Sequence, residues 1–519
     1  MKKWILKFSL AAILISGAGS FALAQETSKA IEVAKEPESV EALQKNIREL
    51  IENPRYDAAM WGIKIASLDS EKILFEHNAQ KLFSPASNSK LYTMALALTR
   101  LGPEHRIKTS LYAKGRPNET GTLNSDLIIY GRGDPTISGE YNHGDVMRAF
   151  EPLVAALTNA GVKEIAGDLI GDDSFFHSAP FGAGWDWGDL EADYGAEISA
   201  LTINSNTVQL IVKPGESIGT VARLAFSPPT TYIAISNRTE TTAKGTRSTL
   251  RLYRPLGENL VYVTGHVPLD YAGSSEDVTM HDPAALFASL FKEALKQHGI
   301  AVSGVTRSAH WLDRENAPLD FSQWSEIGVV ESRPFREIIK SVEKPSQNLY
   351  TDMMLEYVGA NALGTNATGA STEAGLRELG SFLAKAGVRR GDTIFDEGSG
   401  LSRNNLTTPN ATVALLTYMS RQKDFPVYYD ALPIAGVDGT LRRCMKGTPA
   451  AGNVRAKTGT LRWANSVSGY MTNAVGEHLV FSMMLNRFQS PPGYERSKTA
   501  DMDVILEMLA KFAVNSGTK

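Results

Sequence analysis

A serine followed one helical turn later by a lysine is the smallest pairing that can transfer an acyl group, because the amine can take the proton that the hydroxyl must lose. The chain has five such tetrads, beginning at Ser87, Ser289, Ser341, Ser420 and Ser516, and ordinary residue usage alone yields about two in this length. Context singles out Ser87. The run Ser84-Pro-Ala-Ser87-Asn-Ser-Lys90 reads as a helix start, with Ser84 as N-cap and Pro85 in the first helical position. Leu91, Met94, Ala95, Leu98 and Leu101 then recur at spacings of three and four, an apolar face that buries the helix. Ser87 falls in the first turn, where free amides favour developing negative charge, and Lys90 shares its face.

Two downstream stretches supply what an acyl transfer still lacks. Ser346-Gln347-Asn348 stands between a proline and a helix, and Lys457-Thr458-Gly459-Thr460 lies on or at the end of a strand. Taken singly, the first is an ordinary N-cap and the second an edge lysine before a bend. Taken in order, Ser-x-x-Lys, Ser-x-Asn and Lys-Thr-Gly form the signature of penicillin-binding proteins and active-site serine β-lactamases. The residue types fit the reaction. Ser87 is the expected nucleophile, and Lys90 its base if burial and a second cation, Lys457, keep it neutral. Ser346 can relay the proton to the leaving group, and Asn348 can orient Lys90. Lys457, Thr458 and Thr460 suit a substrate carboxylate, Gly459 completes that segment, and the amides of Ser87 and Thr460 would form the oxyanion hole.

These residues need a scaffold, and 519 residues imply more than one core. The composition is globular, 43% hydrophobic with a net charge of −4, which gives no basic excess for nucleic acid. Residues 1–24 read as a cleavable signal peptide ending in Ala22-Leu23-Ala24. No later stretch has transmembrane length, so the expected product is exported, without an integral membrane segment. The single cysteine, Cys444, can form no disulfide within the chain. Residues 25–40 read as a polar leader. Residues 41–103 and 331–519 alternate helices and strands, whereas 104–330 is dominated by short strands with one helix at Val146–Ala160 and another at Pro283–His298. The expected fold is therefore α/β, a serine β-lactamase/transpeptidase-like domain interrupted by a β-rich insertion that could comprise two lobes.

The position and size of that insertion sharpen the resemblance. The chain resembles the class C low-molecular-mass penicillin-binding proteins, the D-alanyl-D-alanine carboxypeptidase/endopeptidases of the penicillin-binding protein 4 type, which carry a large insertion between the first two motifs. Further family-like strings follow in order: Gly131-Arg-Gly-Asp134-Pro-Thr136, Gly171-Asp172-Asp-Ser174-Phe175, Gly184-Trp185-Asp-Trp187, Ser199-Ala-Leu201 and Asp396-Glu-Gly398-Ser-Gly-Leu401-Ser-Arg403. Glu397 stands as an additional residue in what is normally Asp-Gly-Ser-Gly. The resemblance implies hydrolysis of peptidoglycan stem peptides and crosslinks outside the cytoplasm, acylation of Ser87 by β-lactam antibiotics, and no metal or other cofactor. It also implies that Asp172 recognises the free end of the substrate's diamino acid, with Leu401 and Arg403 in the same cleft; an aspartate opening a turn is the plainer alternative for Asp172. A β-lactamase and a catalytically idle cell-wall binding protein are the rival functions. The first needs a means of activating a deacylating water that no stretch identifies. The second has no use for the full set Ser87, Lys90, Ser346, Asn348 and Lys457.

Overall fold

In the computed structural model, which describes residues 37–364, 369–489 and 499–517, the two ends of the chain build one sheet. Met60–Ser67 pairs along its whole length with His478–Asn486. The full order is Arg455–Leu461, Ala464–Thr472, His478–Asn486, Met60–Ser67, Ile73–His77, every neighbouring pair antiparallel. Successive side chains of a strand point to opposite faces, and here both faces are buried. Ile63, Ile65, Phe481 and Met483 join one core with Leu43 and Ile47 of helix Val40–Ile51 and Met502 and Ile505 of helix Ala500–Lys511. Ala66, Tyr470 and Val480 face the other core, built on helix Ser89–Leu101 and the helices Phe335–Glu343, Asn348–Leu363, Ser371–Lys385 and Pro409–Ser420. Every residue from Ser89 to Leu98 is buried. Helix Ser89–Leu101 is thus central to its layer, rather than amphipathic with one wet side.

The chain leaves this head and returns to it at one point. Ile107 and Ser332 exchange backbone and side-chain hydrogen bonds, and the Phe335 amide donates to the His105 carbonyl. Between them, strands from Lys108 to Glu331 form four sheets that share no strand with the head sheet. The largest has the order Thr306–Ala309, Leu169–Asp172, Leu127–Tyr130, Lys108–Ala113, Ser325–Glu331. One buried cluster runs through the insertion, from Leu111 and Phe150 to Val208, Val263 and Phe287. The helix expected at Val146–Ala160 is a 3-10 turn, Met147–Phe150, followed by an α-helix, Glu151–Asn159. The signal-peptide reading of residues 1–24, and all but the end of the leader 25–40, lie outside the described residues. Among the described residues, no helix is long and apolar enough to cross a membrane.

Candidate active site

Ser87 does not sit where a simple N-capped helix would place it. The helix proper begins at Ser89, and Ser87 lies in a preceding 3-10 turn, Ala86–Asn88. Ala86 has φ +48°, a left-handed backbone that costs energy for any residue with a Cβ, and it breaks the helical phase that Ser84 and Pro85 were expected to start. Ser84 is not the cap. Its amide donates to the Asn486 side chain at 2.7 Å, and its carbonyl accepts from the same side chain at 3.1 Å. Ser466 Oγ donates to the Pro85 carbonyl at 2.6 Å. The head sheet therefore holds the turn from two strands and maintains its strain.

Two glycines allow that close fit. A Cβ on Gly459 would lie 2.3 Å from Ser466 Oγ, 2.5 Å from the Pro85 carbonyl and 3.0 Å from the Ser87 amide nitrogen. Gly400, with φ +86°, passes so close to the Ala86 carbonyl that a Cβ there would overlap it. The Lys-Thr-Gly strand and the Gly398–Leu401 loop thus press on the nucleophile turn from two directions.

Lys90 is fully buried, and its Nζ reaches Ser87 Oγ at 3.0 Å, Asn348 Oδ1 at 2.6 Å and the Ser399 carbonyl at 2.7 Å. Lys457 is also fully buried, with its Nζ donating to Ser346 Oγ at 2.8 Å and to the Thr458 carbonyl at 2.9 Å. Removing an ammonium from water costs several kcal/mol unless it is well paired. Burial accordingly lowers both amines, Lys90 to about 8 and Lys457 to about 7, the charge on Lys90 adding to the effect on Lys457. Asp352, Glu397 and Glu343 act against burial at Lys90, and Glu343 does so at Lys457.

The loop that carries Ser346 is itself constrained. Ser346 has φ +71°. The helix cap is the next residue, Gln347, whose side chain accepts from the Leu349 amide at 2.8 Å. Released from capping, the Ser346 hydroxyl faces Lys457. Lys344 fixes the loop to the opposite wall through Asp438 Oδ2 at 2.7 Å and the Leu432 carbonyl at 2.6 Å. On the Lys457 strand, the outward-facing Ala456 amide donates to the Pro433 carbonyl. The twofold alternation of a strand then turns the Thr458 and Thr460 amides outward as well, so the Thr460 N–H faces the open side of the edge strand. Thr458 Oγ1 lies 2.6 Å from Thr440 Oγ1.

The structure assembles Ser87, Lys90, Ser346, Asn348 and the Lys457–Thr460 strand as one group, but it does not bring Asp172 to them. Asp172 is fully buried at the end of its insertion strand, paired with Arg314 Nε at 2.8 Å and accepting from the Ser174 amide at 3.0 Å. It holds a turn and an arginine. The carboxylate that approaches the site is Asp189, which sequence reasoning missed. Arg403 Nη2 lies 3.2 Å from Asp189 Oδ2 and 3.0 Å from Asp186 Oδ2. Arg403 Nη1 donates to the Leu401 carbonyl at 2.6 Å. Tyr194, the other end of the same segment, accepts from Asn348 Nδ2 on its backbone carbonyl at 2.9 Å. Asn348 is therefore held by Lys90 on one side and by the insertion on the other.

Glu397 is not an additional residue in its turn. Its carboxylate accepts from the amides of Ser399 at 3.0 Å and Gly400 at 2.8 Å and from Asn405 Nδ2 at 2.6 Å. It is the acid of the Gly398–Gly400 turn, one methylene longer than the usual aspartate, and it fixes the loop whose Ser399 carbonyl receives Lys90.

The family profile of the D-Ala-D-Ala carboxypeptidase 3 (S13) family matches residues 43–509. The chain belongs to this family. It is 32% identical over 482 residues to a D-alanyl-D-alanine carboxypeptidase of Actinomadura sp. (strain R39), covering 91% of this chain and 85% of the relative. It is 27% identical over 444 residues to the D-alanyl-D-alanine carboxypeptidase DacB of Haemophilus influenzae, covering 85% and 88%. The crystal structure of penicillin binding protein 4 from H. influenzae superposes with a TM-score of 0.77 at 25% identity, over 90% of this chain and 99% of that one. A second structure of that protein, complexed with a β-lactam, shares the fold at a TM-score of 0.69 and 23% identity, over 89% and 98%. The S13 chain described here is thus a serine peptidase of the D-Ala-D-Ala carboxypeptidase type, with an α/β head and a β-rich insertion.

Proposed function

We propose that the protein hydrolyses peptidoglycan stem peptides ending in D-Ala-D-Ala through an acyl-enzyme on Ser87. One observation carries the assignment of roles. Two of the three Lys90 contacts are oxygen acceptors, Asn348 Oδ1 and the Ser399 carbonyl, and the third is the Ser87 hydroxyl. When Lys90 is neutral, its two N–H bonds point at the acceptors and its lone pair points at Ser87, which becomes the donor. Ser87 Oγ then attacks the carbonyl of the penultimate D-Ala as its proton passes to Lys90. The oxyanion meets the Ser87 and Thr460 amides. The peptide C–N bond breaks, the departing D-Ala amine takes a proton through Ser346, and water later cleaves the ester. Lys457, Thr458 and Thr460 would hold the terminal carboxylate. With Asp189, paired with Arg403, linked to Asn348 through Tyr194, this wall can read a charged stem-peptide side chain. The same carbonyl is cut in an endopeptidase reaction when the leaving amine belongs to a crosslinking diamino acid. The export signal read in residues 1–24 and the cell-wall substrate support work outside the cytoplasm, in the periplasm for a two-membrane envelope.

The test is intact-mass and peptide-mapping spectrometry after incubation with a penicillin, alongside D-alanine release from a pentapeptide. The expected result is an adduct on the Ser87 peptide and released D-alanine, both lost in Ser87→Ala. Rapid drug turnover without an adduct would mean a β-lactamase, and neither signal would mean a binding protein.

A further inference from the structure

Three buried carboxylates surround the lysine pair, and two have obvious employment. Asp352 Oδ1 accepts from the Gly398 and Ser399 amides at 2.8 and 3.0 Å, and Glu397 caps the same turn. Glu343 is different. It is fully buried, and among the described residues neither of its carboxylate oxygens has a hydrogen-bond partner. A buried charged carboxylate with no partner costs several kcal/mol, and an apolar side chain would fill the place without that cost. The rest of its helix follows the cheaper rule: Phe335, Ile338, Ile339 and Val342 are the buried apolar residues, and Ser341 satisfies itself by donating to the Ile338 carbonyl at 2.9 Å.

What Glu343 faces gives the reason. The cations acting on it are Lys457 first and Lys90 second. Tyr428, from helix Phe425–Ala431, also senses its charge, but that hydroxyl is committed to the Leu91 carbonyl at 3.0 Å. The adjacent cation, Lys344, turns away to Asp438 and Leu432. Asp352 and Glu397 act on Lys90 from the Gly398 turn. Glu343 is therefore a negative group whose strongest charged neighbours are the two amines that the reaction needs in opposite states. Lys457 must stay charged to hold a carboxylate, while Lys90 must give up its proton to become a base. Two like charges buried together repel, so without a counter-charge both amines shed protons together. A carboxylate that acts on both, and on Lys457 first, opposes that loss.

We propose that Glu343 is a positioning residue for protons, a buried counter-charge that opposes the loss of protons from Lys457 and Lys90 and thereby sets the pH range over which Ser87 is acylated. This rests on the serine-acylation reading above. Burial raises the Glu343 carboxyl to about 7, opposed by Lys457 and Lys90, so it titrates in the same range as the amines it governs. Removing its charge withdraws a favourable interaction from both ammonium forms, and both amines then deprotonate at lower pH. The sign is the same for both limbs. The rising and falling limbs of the profile report proton loss from this interacting pair, and both move down.

The experiment is the pH profile of the second-order acylation rate with a fluorescent penicillin, for wild type, Glu343→Gln, Glu343→Leu and Glu343→Asp. The expected result is a downward displacement of about one pH unit for Gln and Leu, and a return toward the wild-type profile for Asp. Profiles of Gln and Leu that superpose on wild type would overturn the proposal and leave Glu343 as buried filler. Failure of both to fold in thermal melts would overturn it equally, because the carboxylate would then belong to the fold. If the wild type is not acylated at any pH, the fault lies instead with the acyl-enzyme reading.

Discussion

The head and the insertion bury charge in opposite ways. In the head, Lys90 and Lys457 face oxygen acceptors and each other, and burial pulls both toward neutrality, to about 8 and about 7. In the insertion, His310 lies 2.8 Å from Asp173 and 3.6 Å from Asp282, and those carboxylates raise it to about 11 despite its partial burial. Asp172, the most deeply buried acid of that region's large sheet, is given an arginine. A charge matched on the spot stays charged and holds structure together. A charge buried with incomplete compensation can change state, and that makes it available for chemistry. The comparison separates Lys90 from His310, although both are basic groups among carboxylates.

The strongest way to break the contrast is to remove the base. Lys90→Gln keeps a polar side chain but no amine, and acylation of Ser87 by a fluorescent penicillin is expected to fall about 10³-fold, with thermal stability equal to wild type or higher. Gly459→Ala tests the packing that brings the site together. The added methyl must displace either the Lys457 strand or the nucleophile turn, so acylation should drop about 10²-fold while the fold is retained. Rates close to wild type would show that the turn can shift without consequence. Asp189→Asn sharpens the contrast from the insertion's side. D-alanine release from a pentapeptide with a free amine on its third residue should weaken roughly 30-fold through KM, with β-lactam acylation nearly unchanged. Arg314→Ala should do the reverse: it strands Asp172 and costs about 3 kcal/mol in denaturant unfolding, yet leaves the acylation rate per folded molecule intact. The smallest effect belongs to His310→Gln. A histidine raised from its ordinary value near 6.5 to about 11 stabilises the fold fully below pH 6.5, and that contribution fades as pH rises toward 11. The stability difference should be about 1 kcal/mol near pH 6, discounted for exposure, and shrink in alkaline buffer.

What the sequence revealed and what it hid divide along the same line. The grouping of Ser87, Lys90, Ser346, Asn348 and Lys457 was legible because acyl transfer would call for those types in that order, and the helices and strands that carry them show ordinary periodicity. The helical pattern from Asn348 to Leu363 coincides with helix Asn348–Leu363, and the apolar run from Ser466 to Thr472 lies in strand Ala464–Thr472, which starts two residues earlier. The nucleophile turn was misread because the left-handed Ala86 leaves no mark on composition, while Ser84-Pro85 imitates an N-cap well. The helical pattern runs from Thr412 to Arg421, whereas helix Pro409–Ser420 starts three residues earlier, at a proline capped by Thr408. Asp172 stood in a family-like string, but its partner, Arg314, lies 142 positions away and decides its role. Asp189, Tyr194 and Glu343 gain their meaning from contacts with residues distant in sequence, which no local pattern encodes. Glu397 looked like an insertion because an aspartate was expected one position earlier; its hydrogen bonds show a substitution.

The pairing of Met60–Ser67 with His478–Asn486 also has a consequence in time. A chain made from its N-terminus presents the Ser87 segment early, but the strand that anchors Ser84 through Asn486 lies 402 positions further on, and the Lys457 strand of the same sheet also comes late. The insertion, whose sheets are complete by Glu331, can fold in the interval. The Ser87 turn therefore gains its sheet contacts only once the strands after Arg455 have joined the head.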